Sequence, residues 1–181
     1  MKKNLLFLFA VLLSLLPQAM LADTWTFEWN ASKKDGGQGF YNFGTGAVDK
    51  DVYTAELNGL QWNISAEGTH VYAYTGTMGQ YIGKASEPPT SVKLWTESLA
   101  GNVKAVRVTA RVQKDTYEGN MSVTVNGKSY LHGEATTAAL TGTLAEYEFK
   151  VSEAEAQEGK VEIDLQQTSD SKGPLYIKKI E

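Results

Sequence analysis

The sequence predicts an all-β protein, an antiparallel β-sandwich, and three observations support that fold class. Apolar and polar residues alternate along most of the chain, which is the pattern of strands with one buried face. Short clusters of Gly, Pro, Asn and Asp separate these runs and indicate turns. No segment after residue 22 carries an apolar stripe with helical spacing, so we expect no helix in the core.

The alternating runs predict roughly nine to eleven short strands. The clearest runs cover residues 25–29, 60–64, 106–112, 121–125, 147–151, 161–165 and 175–180. Turn signals fall at residues 35–37, 44–46, 87–89, 101–102, 118–120 and 171–174. Asn126-Gly127 predicts a tight type I′ hairpin after residue 125, because these two residues tolerate positive φ angles. Residues 152–158 are acidic and lack an apolar stripe, so they predict a loop or a single turn.

The first 22 residues have the three parts of a secretory signal peptide. Lys2 and Lys3 form a positive start, an apolar run extends from Leu5 to Leu13, and Ala22 offers a small residue at the cleavage site. The apolar run is too short to span a bilayer as a helix of roughly 20 residues. We therefore expect a cleaved signal helix at 1–22 and a single β-sandwich domain at 23–181, with no membrane span in the mature chain. Met20 is larger than usual two positions before the cut, so cleavage a few residues away is an alternative.

Charge and cysteine content narrow the possible partners and compartment. Loss of Lys2 and Lys3 changes the formal net charge from −4 to −6, and no basic face is evident, so we expect no nucleic-acid partner. The chain has no Cys and hence neither disulfides nor a lipid-bearing N-terminal Cys. These features predict export by a Gram-negative bacterium to the periplasm, the cell surface or the medium.

Other β architectures fit the pattern less well than a sandwich does. Strands that span the outer membrane need about 9 to 11 residues, and such barrels usually end in an aromatic residue, whereas the last residue is Glu181. A lipocalin-like barrel usually opens with Gly-x-Trp, which is absent at Trp25 and Trp29.

Several motifs resemble the small jelly-roll modules of extracellular bacterial proteins, which have galactose-binding-like or carbohydrate-binding architecture. The motifs are Gly39 to Phe43, Leu57 to Trp62, Gly79-Gln80-Tyr81-Ile82-Gly83, Pro88-Pro89, Val92 to Leu94, Gly101 to Val108, Met121 to Gly127 and the closing Leu175-Tyr176-Ile177-Lys178-Lys179-Ile180. The resemblance implies a sandwich of jelly-roll type. In larger proteins such modules accompany enzymes or surface-binding regions, whereas no catalytic neighbour is attached here.

The residues give little support for catalysis or a cofactor. His70 and His132 are the two histidines, and neither lies near a nucleophile motif or forms a His-x-x-x-His pair. The acidic residues on the strands are explained by the polar side of an alternating pattern, although a carboxylate pair of a small hydrolase stays open. A structural calcium ion is also left open, with Asp49, Asp51 and Asp35 as candidate ligands.

The aromatic residues give the strongest indication of binding, since sugar rings stack on flat aromatic planes. Trp25, Phe27, Trp29 and Trp62 alternate with polar residues and are predicted to be core. The predicted ligand-binding residues are Tyr72, Tyr74, Trp95, Tyr117 and Tyr41. Tyr72 and Tyr74 are expected on the outer face because they lie opposite Val71 and Ala73.

We therefore expect a secreted, non-enzymatic module that binds extracellular carbohydrate. The alternative is a structural or adhesive cell-surface protein that acts through protein–protein contacts, with an exposed edge strand that pairs with another chain.

Overall fold

The computed structural model describes residues 24–42 and 51–181, and the predicted signal helix at 1–22 lies outside them. In chain order the strands are β1 (Phe27–Glu28), β2 (Tyr53–Leu57), β3 (Leu60–Glu67), β4 (Tyr72–Thr75), β5 (Gly79–Ile82), β6 (Ser91–Val103), β7 (Ala105–Val112), β8 (Gly119–Val125), β9 (Lys128–Ser129), β10 (Thr137–Ala139), β11 (Ala145–Lys150), β12 (Gln157–Gln167) and β13 (Leu175–Ile180). Two 3₁₀ turns, Lys33–Asp35 and Glu153–Glu155, complete the elements of the described residues. None of these elements is a helix with the length and hydropathy of a membrane span.

The strands form two antiparallel sheets. Sheet A has the order β11-β7-β13-β5-β4, with β1 also paired to β13. Sheet B has the order β10-β8-β12-β6-β3-β2, with β9 also paired to β8. The chain crosses repeatedly between the sheets, as when β5, β6, β7 and β8 alternate between A and B. This arrangement confirms the predicted antiparallel sandwich of jelly-roll type.

Alternation along the strands builds the core between the two sheets. In β7 every second residue from Val106 to Val112 is buried, and in β8 the same holds from Met121 to Val125. Inward side chains of both sheets form one hydrophobic cluster that includes Trp29, Trp62 and Phe149. Trp25 packs against this cluster and stacks on Trp62 at 5.6 Å between ring centroids. The prediction that the N-terminal aromatic residues are core is therefore confirmed.

Two local predictions are confirmed and one is wrong. Asn126 and Gly127 have φ angles of 49° and 80° in the β8–β9 hairpin, and residues 153–155 form a single 3₁₀ turn. The turn predicted at Gly101-Asn102 is instead part of β6. Gly101 has a φ of 89°, and the pairing of β12 with β6 shifts register on both sides of Gly159. Bulges at these positions allow β6 to continue through the segment that was expected to turn.

Candidate functional site

Three residues from neighbouring strands of sheet A meet in one cross-strand row on its outer face. Tyr81 of β5 is opposite Tyr176 of β13, and Tyr176 is opposite Arg111 of β7. Their chain neighbours Ile82, Leu175, Ile177, Ala110 and Val112 are buried in the core. Since side chains alternate along a strand, Tyr81, Tyr176 and Arg111 project from the opposite side of the sheet.

Tyr41 lies at the β4 edge of the sheet, where its ring contacts that of Tyr74 with centroids 6.3 Å apart. The flanking residues Phe40 and Asn42 are tied to sheet A, because the Phe40 amide donates to Gln80 Oε1 at 2.8 Å and the Asn42 amide donates to the Tyr72 carbonyl at 3.0 Å. Phe40 is buried, whereas Tyr41 is 42% exposed. We call Tyr41, Tyr81, Tyr176 and Arg111 the tyrosine row.

Among the tyrosines of the row, exposure increases from Tyr176 on β13 towards Tyr41 at the edge. Tyr176 is only 6% exposed, because the Arg111 guanidinium lies over its ring with Cζ 4.5 Å from the ring centroid. Tyr81 is half-buried, and its ring centroid is 6.2 Å from that of Tyr176 at an interplanar angle of 41°. The accessible part of the row therefore consists of the rings of Tyr41 and Tyr81 and, on the other side of Tyr176, the Arg111 guanidinium.

The phenols of the row are close enough to affect one another. Burial raises the pKa of Tyr81, and the neighbouring Tyr41 and Tyr176 phenols raise it further. Burial also raises the pKa of Tyr176, while Arg111 acts in the opposite direction. Both phenols therefore stay protonated at neutral pH and can donate as well as accept hydrogen bonds. A row of rings with hydroxyl and guanidinium groups at its surface can stack on the C–H face of a sugar and hydrogen-bond its hydroxyls.

The prediction that Tyr72 and Tyr74 are exposed is wrong. They are 1% and 3% exposed, and both belong to the core cluster, whereas Ala73 between them has the outward register position opposite Tyr81. Tyr72 packs on Tyr53 with ring centroids 4.7 Å apart, and the Tyr74 hydroxyl donates to the Gly37 carbonyl. The interior of the sandwich needs the volume of the two tyrosines, which an alanine could not supply.

Tyr117 lies in the loop between β7 and β8 and does not join the row. It is half-buried and packs against the core, and Lys114 Nζ lies 5.5 Å from its ring centroid. Its ring also covers Gly173, where an added Cβ would lie 2.7 Å from Tyr117 Cε2. The Tyr117 ring thus covers one end of the sandwich.

Trp95 lies on the outer face of sheet B, as its alternation with Val92 and Leu94 predicts. Its Nε1 donates to Glu97 Oε1 at 2.9 Å, and Lys160 Nζ lies 5.4 Å from its ring centroid. Its cross-strand neighbours are Asn63 and Glu162. In the described ranges no ring pair includes Trp95, so it is an isolated aromatic among polar groups and lies on a different sheet from Tyr81.

Two further carboxylates on sheet B are Glu162, opposite Trp95, and Asp164, opposite Lys93. Glu162 pairs with Lys93 at 3.1 Å and with Lys160 at 2.7 Å, and these partners lower its pKa although burial opposes them. Burial raises the pKa of Asp164, whose Oδ1 is buried without a hydrogen-bond partner among the described residues.

The candidate metal ligands and histidines do not assemble into a centre in the described residues. Asp49 lies outside those residues, and within them no group of three or more His, Asp or Glu side chains could hold a metal ion. Asp35 is hydrogen-bonded to Ser32 at the first 3₁₀ turn. His132 is exposed, with Nδ1 3.0 Å from the Glu148 carbonyl oxygen.

Sequence reasoning missed Tyr81, Tyr176 and Arg111 as surface residues. The signal was present, because Tyr176 stands between Leu175 and Ile177, and Arg111 between Ala110 and Val112. In both cases apolar neighbours on each side mark the opposite face as outward. Tyr81 and Tyr176 belong to two of the motifs that resemble jelly-roll modules, and those motifs predict the fold and not a binding site.

No protein-family model matches the sequence, and no curated protein matches it. Solved structures with a similar arrangement include the xylan-binding module CBM15, with 12% identity, a TM-score of 0.41, and coverage of 71% of this chain and 93% of that chain. The low-affinity xylan-binding module CBM86 from Roseburia intestinalis has 13% identity and a TM-score of 0.35 over 86% of this chain and 91% of that one.

A family two carbohydrate esterase from Clostridium thermocellum, solved with cellohexaose, has 14% identity and a TM-score of 0.40 over 65% of this chain. This chain spans only 30% of that esterase. Several of the similar structures are thus carbohydrate-binding modules, and others are enzymes of which this chain matches a part.

Proposed function

We propose that this chain is a non-catalytic module that binds carbohydrate at the tyrosine row. The observation that carries the proposal is the succession of Tyr81, Tyr176 and Arg111 side by side on the outer face of sheet A, with the exposed Tyr41 at the β4 edge of the same sheet. Aromatic planes supply contact to the apolar faces of sugar rings, and the phenols and guanidinium supply hydrogen bonds to hydroxyls. The paired strands hold Tyr81, Tyr176 and Arg111 in fixed register. These side chains therefore lose little conformational entropy when a ligand binds.

One exposed ring, one half-buried ring and a guanidinium support modest affinity. Stacking on one ring contributes about 0.5–1.5 kcal/mol beyond the area that it buries. We expect a dissociation constant on the order of 10 μM to 1 mM, which suits a module that keeps a protein near a polymer with many repeated sites.

We further propose that the module acts outside the cytoplasm. Residues 1–22 have the composition of a secretory signal peptide, and the chain has no Cys that a disulfide-forming compartment could oxidise. Sequencing the N-terminus of the protein recovered from the periplasm or medium tests this proposal. A mature chain that starts near Asp23 is expected, and retention of residues 1–22 would contradict it.

Affinity electrophoresis on a panel of neutral and acidic polysaccharides tests carbohydrate binding. The test variant is Tyr81→Ala, because Tyr81 projects from the sheet and its loss opens no cavity in the core. We expect the wild-type chain to be retarded by at least one polysaccharide, and the variant to bind it about tenfold more weakly.

Trp95→Ala is the matched control, since Trp95 is also a half-buried aromatic residue of a strand but lies on sheet B. We expect it to bind like the wild type. Loss of retention in Trp95→Ala with normal retention of Tyr81→Ala would place binding on the other sheet and contradict the proposal. No retention of the wild type, together with concentration-dependent oligomers in analytical ultracentrifugation, would favour the structural or adhesive alternative.

A further inference from the structure

The two arginines of β7 project from the same face of sheet A but differ in their partners. Arg107 pairs with Glu148 at 2.7 Å and with Glu181 at 3.1 Å, so its charge is satisfied. Arg111 makes no ion pair within residues 24–42 and 51–181, and its Nη1 donates to the Gly142 carbonyl at 3.1 Å. Arg111 therefore carries an uncompensated charge at the end of the tyrosine row.

The guanidinium of Arg111 is held in a fixed orientation. The face-on contact with the Tyr176 ring, 4.5 Å from Cζ to the centroid, immobilises one face of the group, and the bond to Gly142 fixes one edge. The Gly142 amide is itself fixed, because it donates to Asp115 Oδ1 at 2.9 Å. An arginine that is oriented in this way loses less side-chain entropy when it binds a ligand than a free one does.

A second cation, Lys33, lies at the opposite end of the row. Lys33 Nζ is 5.8 Å from the Tyr41 ring centroid, and in the described part of the chain Lys33 has no carboxylate partner. The whole chain has a net charge of −4. The cations at both ends of the row therefore make this part of the surface locally positive on a protein that is acidic as a whole. A ligand that lies along the row passes close to both charges.

We propose that the tyrosine row selects an acidic glycan, one whose sugar units carry carboxylates, and that Arg111 binds one of these carboxylates. This inference rests on the proposed function and names the chemical class of its ligand. The planar guanidinium presents parallel N–H donors that match the two oxygens of a carboxylate. Tyr81, on the other side of Tyr176, stacks on a neighbouring sugar ring of the same glycan, and Lys33 attracts a further acidic unit towards Tyr41.

The test measures binding to polyuronates and to the same polymers after methyl esterification, which removes the charge and keeps the sugar ring. The probes are polygalacturonate, alginate and their methyl esters, with dextran sulfate as a sulfated probe. We expect the wild type to prefer at least one polyuronate over its ester by tenfold or more at low salt. Arg111→Gln is expected to lose that preference and to bind the polyuronate no more tightly than its ester.

Arg107→Gln is the matched control, four residues away on the same strand and face. Its loss leaves Glu148 paired with Lys150 and Glu181 paired with Lys179, so no carboxylate is left isolated. We expect this variant to keep the preference of the wild type. Far-UV circular dichroism of both variants checks that the fold is intact.

Equal affinity of the wild type for every polyuronate and its ester would overturn the acidic-glycan inference while leaving carbohydrate binding in place. A preference for dextran sulfate over all polyuronates would overturn the assignment of a carboxylate. Retention of the preference in Arg111→Gln would overturn the role of Arg111. If neither these probes nor the neutral polysaccharides are bound at all, the proposed function itself is wrong.

Discussion

At the scale of single residues, the buried side chain of Gln80 determines where Tyr41 lies. Its Oε1 accepts from the Phe40 amide, and its Nε2 donates to the carbonyls of Phe40 and Ala73 at 2.9 and 2.8 Å. The Gln80 side chain thus makes the hydrogen bonds to the Phe40 backbone that a neighbouring strand would make in a sheet. The segment at residues 39–42 is not itself a strand. An amide side chain is suited to this role because it both donates and accepts.

Gln80→Leu is predicted to destabilise the protein by about 2–4 kcal/mol, because it leaves buried donors and acceptors without partners. It is also predicted to weaken carbohydrate binding, since Tyr41 loses its attachment to sheet A. Urea denaturation measures the first effect and affinity electrophoresis the second.

Gln61→Leu is the control for this substitution, because Gln61 has an exposed position on β3. Its unfolding free energy is expected to change by less than about 0.5 kcal/mol. If both variants unfold at the same urea concentration as the wild type, the Gln80 hydrogen bonds do not hold the segment in place.

Residue patterns show what sequence could and could not predict about the site. Alternation correctly predicts that Tyr72 and Tyr74 share one face of β4, but it does not say which face is inside. The flanking residues Val71 and Ala73 are too small to identify the buried face, whereas the bulky Leu175 and Ile177 identify it around Tyr176. Tyr41 could not be placed, because its position depends on hydrogen bonds to residues about forty positions away in the chain.

At the scale of elements, glycines with positive φ serve different purposes in a turn and in a strand. Gly127 has a φ of 80° in the β8–β9 hairpin, and a Cβ added there would meet no atom within 4 Å. Gly79 has a φ of 78° in β5, but a Cβ there would lie 2.2 Å from the Ile177 carbonyl oxygen of β13. Gly127 is needed for its conformation alone, and Gly79 for its conformation and for the close approach of β5 to β13.

Substitution of each glycine by alanine separates these two requirements. Gly127→Ala is predicted to lower the free energy of unfolding by roughly 1–2 kcal/mol, which is the cost of the left-handed conformation for a residue with Cβ. Gly79→Ala is predicted to cost clearly more, because the backbone of β13 must also move.

Chemical denaturation of the two variants measures the difference. Gly79→Ala should in addition weaken carbohydrate binding, since Tyr176 lies on the displaced strand, whereas Gly127→Ala should bind normally. Equal destabilisation by the two substitutions would contradict a close approach of β5 to β13.

At the scale of the whole molecule, the fold class was predictable because it depends on a repeated pattern. Alternation and turn signals located the long strands and the hairpin at Asn126-Gly127, and the buried aromatic residues Trp29 and Trp62 followed from the same pattern. The strand β9 follows from the hairpin signal at Asn126-Gly127, whereas β10 could not be predicted, since three residues are too few to show a period. The assignment of strands to sheets A and B depends on contacts between distant segments, which alternation does not encode.

Assembly of the sheets also explains why the five predicted binding residues do not form one site. Tyr72 and Tyr74 fill the space between the sheets, Tyr117 closes one end, Trp95 projects from sheet B and Tyr41 lies beside sheet A. The tyrosine row arises only when β4, β5, β13 and β7 are placed side by side. The two members that lie furthest apart in the sequence are Tyr41 and Tyr176.

Chemical-shift mapping by solution NMR tests the central claim, carbohydrate binding at the tyrosine row, most directly. The isotope-labelled protein is titrated with oligosaccharides prepared from any polysaccharide that retards it, and the backbone and aromatic signals are followed. We predict that the largest shifts occur at Tyr41, Tyr81, Tyr176 and Arg111, and that the signals of Trp95 and its neighbours stay in place. Shifts centred on Trp95, or saturating oligosaccharide without any shift in the tyrosine row, would contradict the account.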